Sequence, residues 1–327
     1  MVIPRLLPTV AALVLVAAVC SAQEKVKFPA AVGTKTMGTN MLWLASKQGF
    51  FAEEGLEVQP ILLRGSSITV QALVGESIYV ASSSADVTVG AIEGGANLVI
   101  VAGVVNGLTQ AIVAGKHYKT FKDLRGTTLG VQSLNSGASN VLIQVMKRNG
   151  LDYPADYKIL AVGGGSYNFA ALFSGQVAAT YLVVPLSFVA EEMGFNMLGY
   201  FKDYFPNFQL SVLAVKRPWA EKNRTLLVRF LTGIARAHRW LHENKEPAIE
   251  FLAKEIQLKP DHARRGWEYY AGNRIWHPSA EVNIEGLKTT LQLYAEHSQS
   301  KKPVPNPLKY VDQSYLKEAL KKLGISG

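Results

Sequence analysis

Five short stretches crowd serine, threonine, asparagine and glycine into places where an apolar run hands over to a helical pattern. They are "TKTMGTN" (Thr34–Asn40), "RGSS" (Arg64–Ser67), "SSSAD" (Ser82–Asp86), "NSGAS" (Asn135–Ser139) and "GGGSYN" (Gly163–Asn168). Hydroxyls, amides and free backbone N–H groups at a helix start do one of two things. They cap the helix, or they hold an anion, with the helix dipole adding roughly 0.3–1 kcal/mol per exposed end. Capping explains any one stretch by itself. Five at the carboxyl edges of strands suit a ligand site, because that is where helix N-termini gather in α/β sheets. The chemistry offered is recognition by hydrogen bonding, through Thr36, Thr39, Asn40, Ser66, Ser67, Ser83, Ser84, Ser136, Gly137, Ser139 and Ser166.

Other side chains near these stretches carry more specific readings. The guanidinium of Arg64 suits a bidentate pair with a carboxylate or sulfonate, or it is a solvated surface arginine. Asp86, in the first turn of a helix, suits an ammonium group or a structural role. Trp43 and Tyr167 offer faces for stacking on a ring or alkyl body, as does Phe169, which also fits a core. Asn106, at an expected chain crossing, hydrogen-bonds a ligand or caps the bend.

Several tempting motifs fail. "VGGGSYN" (Val162–Asn168) lacks both the G-x-G-x-x-G spacing and a P-loop lysine, which argues against a nucleotide. His238 and His242 have one-turn spacing in "HRWLH", but no third zinc ligand is evident, so neither metal nor cofactor is expected. No G-x-S-x-G nucleophile arrangement occurs. "NRT" (Asn223–Thr225) matches a glycosylation sequon, which by itself carries little weight.

Alternating short apolar strands and helices position the five stretches. "VKFPAAV", "EEGLEVQPILL", "SIYVAS" and "NLVIVAGVV" read as strands, separated by the helices "TNMLWLASKQGFF", "SSITVQALVG" and "SADVTVGAIEGG". A second round runs from "QAIVAG" through "TTLGVQS", "YKILAV", "VAATYLVV" and "NMLGYF", and "FQLSVLAV" returns as a further strand. Nearly continuous apolar strands alternating with helices predict parallel sheets covered on both faces. From Pro218 onward the pattern is almost wholly helical and begins with one long helix, "AEKNRTLLVRFLTGIARAHRWLHENK"; such a tail is expected to brace one lobe. The expected organisation is lobe I from 23–106 and 209–327, with lobe II from 107–208. Two crossings, near 105–110 and 200–209, make a hinged cleft.

The first residues bear on the compartment. A single positive charge, Arg5, precedes the apolar stretch "VAALVLVAAV" and the small-residue exit at Ala22, which predicts a cleavable signal peptide over 1–22 and a periplasmic chain. Cleavage there removes Cys20, the only cysteine, and with it disulfides and thiol chemistry. Losing Arg5 takes the formal charge from +9 to +8, a modest bias toward anions. Lysines and arginines are scattered without an RNA-binding aromatic motif, so nucleic acid is not an expected partner.

Three motifs carry a family resemblance: Gly49-Phe50-Phe51 with Gly55-Leu56, Asp123-Leu124-Arg125-Gly126, and Leu172-Phe173-Ser174-Gly175. Across Lys25 to about Leu258 the chain resembles the solute-binding proteins of nitrate-, sulfonate- and taurine-type ABC importers, and their thiamine-precursor-binding relatives. The resemblance implies a type II periplasmic-binding-protein fold that closes on a small-molecule ligand, here an organic anion. It also implies delivery to a membrane-embedded ABC permease, action as a monomer without catalysis, and Pro185 at the cleft. Ile78, Ala178 and Val184 stand where such proteins often carry acidic or polar residues, which tilts the expected ligand toward an apolar body. Two alternatives share the scaffold. One is a thiamine-pyrimidine-synthase-like enzyme, whose cysteine-rich motif a cysteine-free mature chain lacks; the other is a ligand-sensing domain.

Overall fold

A computed structural model describes residues 24–63, 65–134, 137–163, 165–297 and 305–325. Among the described residues twelve strands form three sheets. They are β1 (Val26–Lys27), β2 (Ala30–Val32), β3 (Leu56–Glu57), β4 (Pro60–Leu62), β5 (Val80–Ser84) and β6 (Leu98–Val105). They continue with β7 (Gln110–Ala114), β8 (Thr128–Val131), β9 (Lys158–Ala161), β10 (Ala179–Val183), β11 (Asn196–Tyr200) and β12 (Ser211–Lys216). One five-stranded sheet runs β4-β2-β5-β12-β6, the other β11-β7-β10-β8-β9, and β1 pairs with β3 apart from both. All eight residues of β6 are buried, as an apolar run covered on two faces requires. The alternation gives the mixed α/β sheets, and the fold is the two-lobed periplasmic-binding-protein architecture that the resemblance implies, with β12 returning to lie antiparallel between β5 and β6.

The structure divides three elements that read as continuous. "VKFPAAV" breaks into β1 and β2 around Pro29, which has no N–H for a ladder. The first helix stops at Lys47 and restarts as Phe50–Glu53, because Gly49 turns left-handed with φ +77°. The long tail helix divides into Arg217–Lys222 and Arg224–Glu243 at Asn223. There the side-chain amide donates to Trp219 O at 2.9 Å and competes with the backbone.

Nor does the tail brace one lobe only. The helix Arg224–Glu243 packs into the large core of the first sheet, where Phe230 stacks on Phe28 and Phe51. The helix Pro260–Gly272 also reaches the second lobe. Arg265 pairs with Glu191 at 2.6 Å and lies over the Phe188 ring at 4.0 Å, while His262 Nε2 approaches Glu192 Oε1 at 2.7 Å. Tyr269 donates to Leu108 O and Tyr270 to Val184 O, each at 3.3 Å. Burial raises the pKa of both phenols, which keeps them as donors.

Candidate ligand cleft

Strand direction fixes where the five stretches lie. In the first sheet β2, β4 and β5 are parallel, so Val32, Leu62 and Ser84 share one carboxyl edge. Ser211 of β12 pairs with both Ser84 and Val105, which brings the end of β6 and the start of β12 to that edge. In the second sheet β8, β9 and β10 are parallel, and Val183 pairs with Gln110, so β7 begins at their carboxyl edge. The pairing of Tyr200 with Ala111 ends β11 there too. Residues 106–109 and 201–210 therefore run from one edge to the other, and every helix that follows a parallel strand starts at these edges.

The two edges touch. Asp86 Oδ2, in the first turn of the helix Ala85–Glu93, lies 2.9 Å from where a Cβ would stand on Gly137. Gly137 is the first residue of the helix Gly137–Arg148 in the opposite lobe. Farther along, Met37 and Pro185 converge on Gly266, where an added Cβ would lie 2.6 Å from Met37 Sδ and 3.3 Å from Pro185 Cβ. Pro185 is buried and follows a cis peptide bond.

Capping, the competing explanation for the polar stretches, leaves few traces. Asn40 and Ser84 precede their helices without any side-chain cap hydrogen bond, and Gly65 and Gly165 hold the same place with no side chain to offer one. Asn40 is 1% exposed, and among the described residues neither atom of its amide has a partner. An orphaned buried polar group costs about 1–3 kcal/mol, and native interiors hold few of them. Ser82 Oγ in β5 is similarly buried and unpartnered, as is Ser187 Oγ two residues beyond Pro185. Ser82 opens the stretch "SSSAD" but was not among its expected ligand groups, and Ser187 lies in none of the five stretches. The signal for Ser187 was the strand-to-helix junction "VVPLS", a sixth stretch of the same kind.

Other residues of the set are engaged with protein. Thr39 Oγ1 donates to Thr34 O at 2.7 Å, accepts from the Thr36 N–H at 3.0 Å and lies 3.1 Å from Thr36 Oγ1, which ties its own loop. Ser66 Oγ accepts the Ser84 N–H at 3.0 Å, Ser83 Oγ meets Thr88 Oγ1 at 2.8 Å, and Ser139 donates to Ser133 O at 2.6 Å. Asn106 donates to Glu281 O at 2.6 Å and accepts from Gln209 at 2.9 Å, so its amide pins the crossing. Ser67, Ser166 and Tyr167 are exposed, Tyr167 at 68%, whereas Phe169 packs on a cluster of buried residues that includes Ala171, Leu172 and Leu182. Trp43 lies partly buried against the first core with the Lys35 ammonium 4.9 Å from its ring. Lys35 belongs to "TKTMGTN" but is held by Glu255 at 3.0 Å. Arg64 and Ser136 lie outside the described residues.

His238 and His242 gain no metal partners. Their ring nitrogens meet His277 O and Trp276 O, each at 2.9 Å, and among the described residues no group of three or more histidine, cysteine, aspartate or glutamate side chains could hold an ion. Among the same residues no helix is long and apolar enough to cross a membrane.

Comparison with known proteins matches residues 39–248 to the family described as NMT1/THI5 like. No curated protein sequence matches the chain. Solved structures share its fold. The alkanesulfonate-binding protein SsuA of Xanthomonas axonopodis pv. citri, bound to MOPS, is 18% identical over 88% of this chain and 99% of its own, with TM-score 0.69. The aliphatic sulphonate-binding SsuA of Escherichia coli is 19% identical over 89% and 99%, also with TM-score 0.69. The nitrate-binding protein NrtA of Synechocystis PCC 6803 is 15% identical over 92% and 89%, with TM-score 0.73.

Proposed function

Because the chain belongs to the NMT1/THI5-like family, we propose that it is an extracytoplasmic solute-binding protein that captures a small organic anion between two lobes and hands it to a membrane-embedded ABC permease. Lobe I comprises 23–106 and 209–327, lobe II comprises 107–208, and residues 1–22 form the signal peptide that sends the chain to the periplasm. The protein acts as a monomer and leaves its ligand chemically unchanged. The relatives named for sulfonate and nitrate binding support the ligand class, and the export signal agrees with it.

The observation that carries this reading is the approach of Asp86 to Gly137. Two edges built of helix starts meet there, and among the described residues two chain segments run between them, so a solute held between the edges shifts an open–closed equilibrium by its contacts with both. The orphaned amide of Asn40 is the group best suited to a ligand. Native mass spectrometry of the purified protein identifies what it retains, and calorimetry of Asn40→Ala tests the site. The variant keeps or gains thermal stability, since it loses no protein hydrogen bond of that side chain, and binds its ligand at least tenfold more weakly. An unchanged affinity would remove Asn40 from the site. A covalently altered ligand after incubation would replace the transport reading with an enzymatic one.

A further inference from the structure

The loop Thr34–Asn40 of the first lobe and the junction "VVPLS" (Val183–Ser187) of the second both pack on the tail helix Pro260–Gly272. Tyr270 of that helix is fully buried and touches both. Its ring lies against the Gly38 backbone, where an added Cβ would stand 2.8 Å from Tyr270 Cε1, so only glycine lets the loop rest on it. Its hydroxyl donates to Val184 O at 3.3 Å. The ring is itself fixed. It stacks on Trp276 with 4.7 Å between centroids, and the Trp276 indole donates to Gly38 O at 3.3 Å. Trp276 in turn lies in a segment secured by the histidine pair of "HRWLH". A carbonyl only accepts, so His242 donates from Nε2 to Trp276 O and His238 from Nδ1 to His277 O, each at 2.9 Å.

On the reading that a solute binds between the lobes, we propose that Tyr270 is a positioning residue. It holds the polar stretches of the two lobes at the separation a bound solute needs, with Trp276 and the histidine pair as its support. Asn40, whose buried amide is orphaned, follows Gly38 by two residues, and Ser187, whose buried hydroxyl is orphaned, follows Val184 by three. Each therefore sits a short length of chain from an atom that Tyr270 touches. Supporting contacts of this kind keep binding groups within about 0.5 Å of their productive places. Val184 has no exposed surface, so removing the hydroxyl takes a donor from a buried carbonyl, which is relieved by movement of the junction or entry of water. The contacts that His262 and Arg265 make along the same helix end on Glu192 and Glu191, each 45% exposed, and hold position less firmly.

Gln71→Cys and Ala170→Cys place one nitroxide label at an exposed helix position in each lobe of the mature chain, which is expected to hold no other cysteine. Double electron–electron resonance then reads the separation of the lobes without any ligand. The labelled chain with Tyr270 intact gives one narrow distance. Tyr270→Phe, which keeps the ring, gives a broader or shifted distribution. Tyr310→Phe is the matched control, because its hydroxyl meets Glu93 Oε1 at 2.8 Å within the first lobe; it keeps the narrow distance. An unchanged distribution in Tyr270→Phe, or equal broadening in Tyr310→Phe, overturns the positioning role. Calorimetry with methanesulfonate adds a solute. Tyr270→Phe binds it about fivefold more weakly, the size of one net hydrogen bond, and equal affinity also overturns the role. No binding by wild type alongside the broadening counts against the anion reading and leaves Tyr270 supported by the distances.

Discussion

Gln209 is fully buried beside the return crossing, and replacing it should loosen the joint between the lobes. Its amide nitrogen shares two hydrogens among Val105 O at 3.2 Å, Asn106 Oδ1 at 2.9 Å and Ser211 O at 2.8 Å. Its oxygen accepts the Asn283 N–H at 2.8 Å, and its backbone carbonyl accepts from Thr290 at 3.0 Å. One side chain therefore ties the outgoing crossing, the return crossing and the tail. Gln209→Ala leaves Val105 O with the Leu210 N–H but strips the Asn283 N–H of its acceptor and Asn106 Oδ1 of a donor. At roughly 1–3 kcal/mol for each orphaned group, the loss is about 3 kcal/mol. For a chain of this size, with an unfolding entropy of roughly 2.1 cal/mol/K per residue, that lowers Tm by about 5 °C. Gln209→Glu is the sharper probe. It keeps an oxygen for Asn283 but sets carboxylate oxygens against three acceptors, so it costs at least as much as alanine. Urea titration read by tryptophan fluorescence gives the midpoints. Either variant unfolding within 1 kcal/mol of wild type, at unchanged slope, would refute the idea that this amide holds the crossings together.

Further expectations concern stability and closure. Burial depresses the His238 pKa to about 3, so the folded state resists a proton that the unfolded chain accepts near 6.5. Its contribution is complete above pH 6.5 and is lost as pH falls from there toward 3. The urea midpoint should decline over that window, and His238→Leu should flatten the decline at the cost of the contact with His277 O. Gly233 faces Phe51, where a Cβ would lie 2.6 Å from the ring, so Gly233→Ala should cost about 1–3 kcal/mol by overpacking, measured by the same titration. Arg265→Ala removes an exposed ion pair and a contact over Phe188. Its stability loss should be about 1 kcal/mol or less, while the radius of gyration from small-angle scattering should rise as the tail releases the second lobe.

The family motifs acquire physical reasons in the fold. Gly49 is the left-handed break between two helices, and Phe51 stacks on Phe230 beneath the one glycine, Gly233, that admits its ring. Asp123 accepts the Lys119 and Thr120 N–H groups at 2.8 Å, which depresses its pKa and caps the short turn before β8. The Gly49 turn and the Asp123 cap are local, which short spacing encodes; the seat of Phe51 on Phe230 is not, and the packing of the tail supplies it.

By itself the sequence determined the alternation of strands and helices, the helical tail and the junctions where polar residues collect. Hydrophobic period and turn chemistry act over a few residues and leave their mark in order along the chain. Only the tertiary structure decided which junction groups remain unpartnered. Thr39 and Asn40 are neighbours of similar polarity, yet one is engaged by its own loop and the other is orphaned. It likewise decided that the tail spans both lobes, that Gln209 gathers the crossings and that Asp86 meets Gly137. Each of these joins residues far apart in the chain, and their meeting depends on how the sheets and helices pack, which spacing along the sequence does not record.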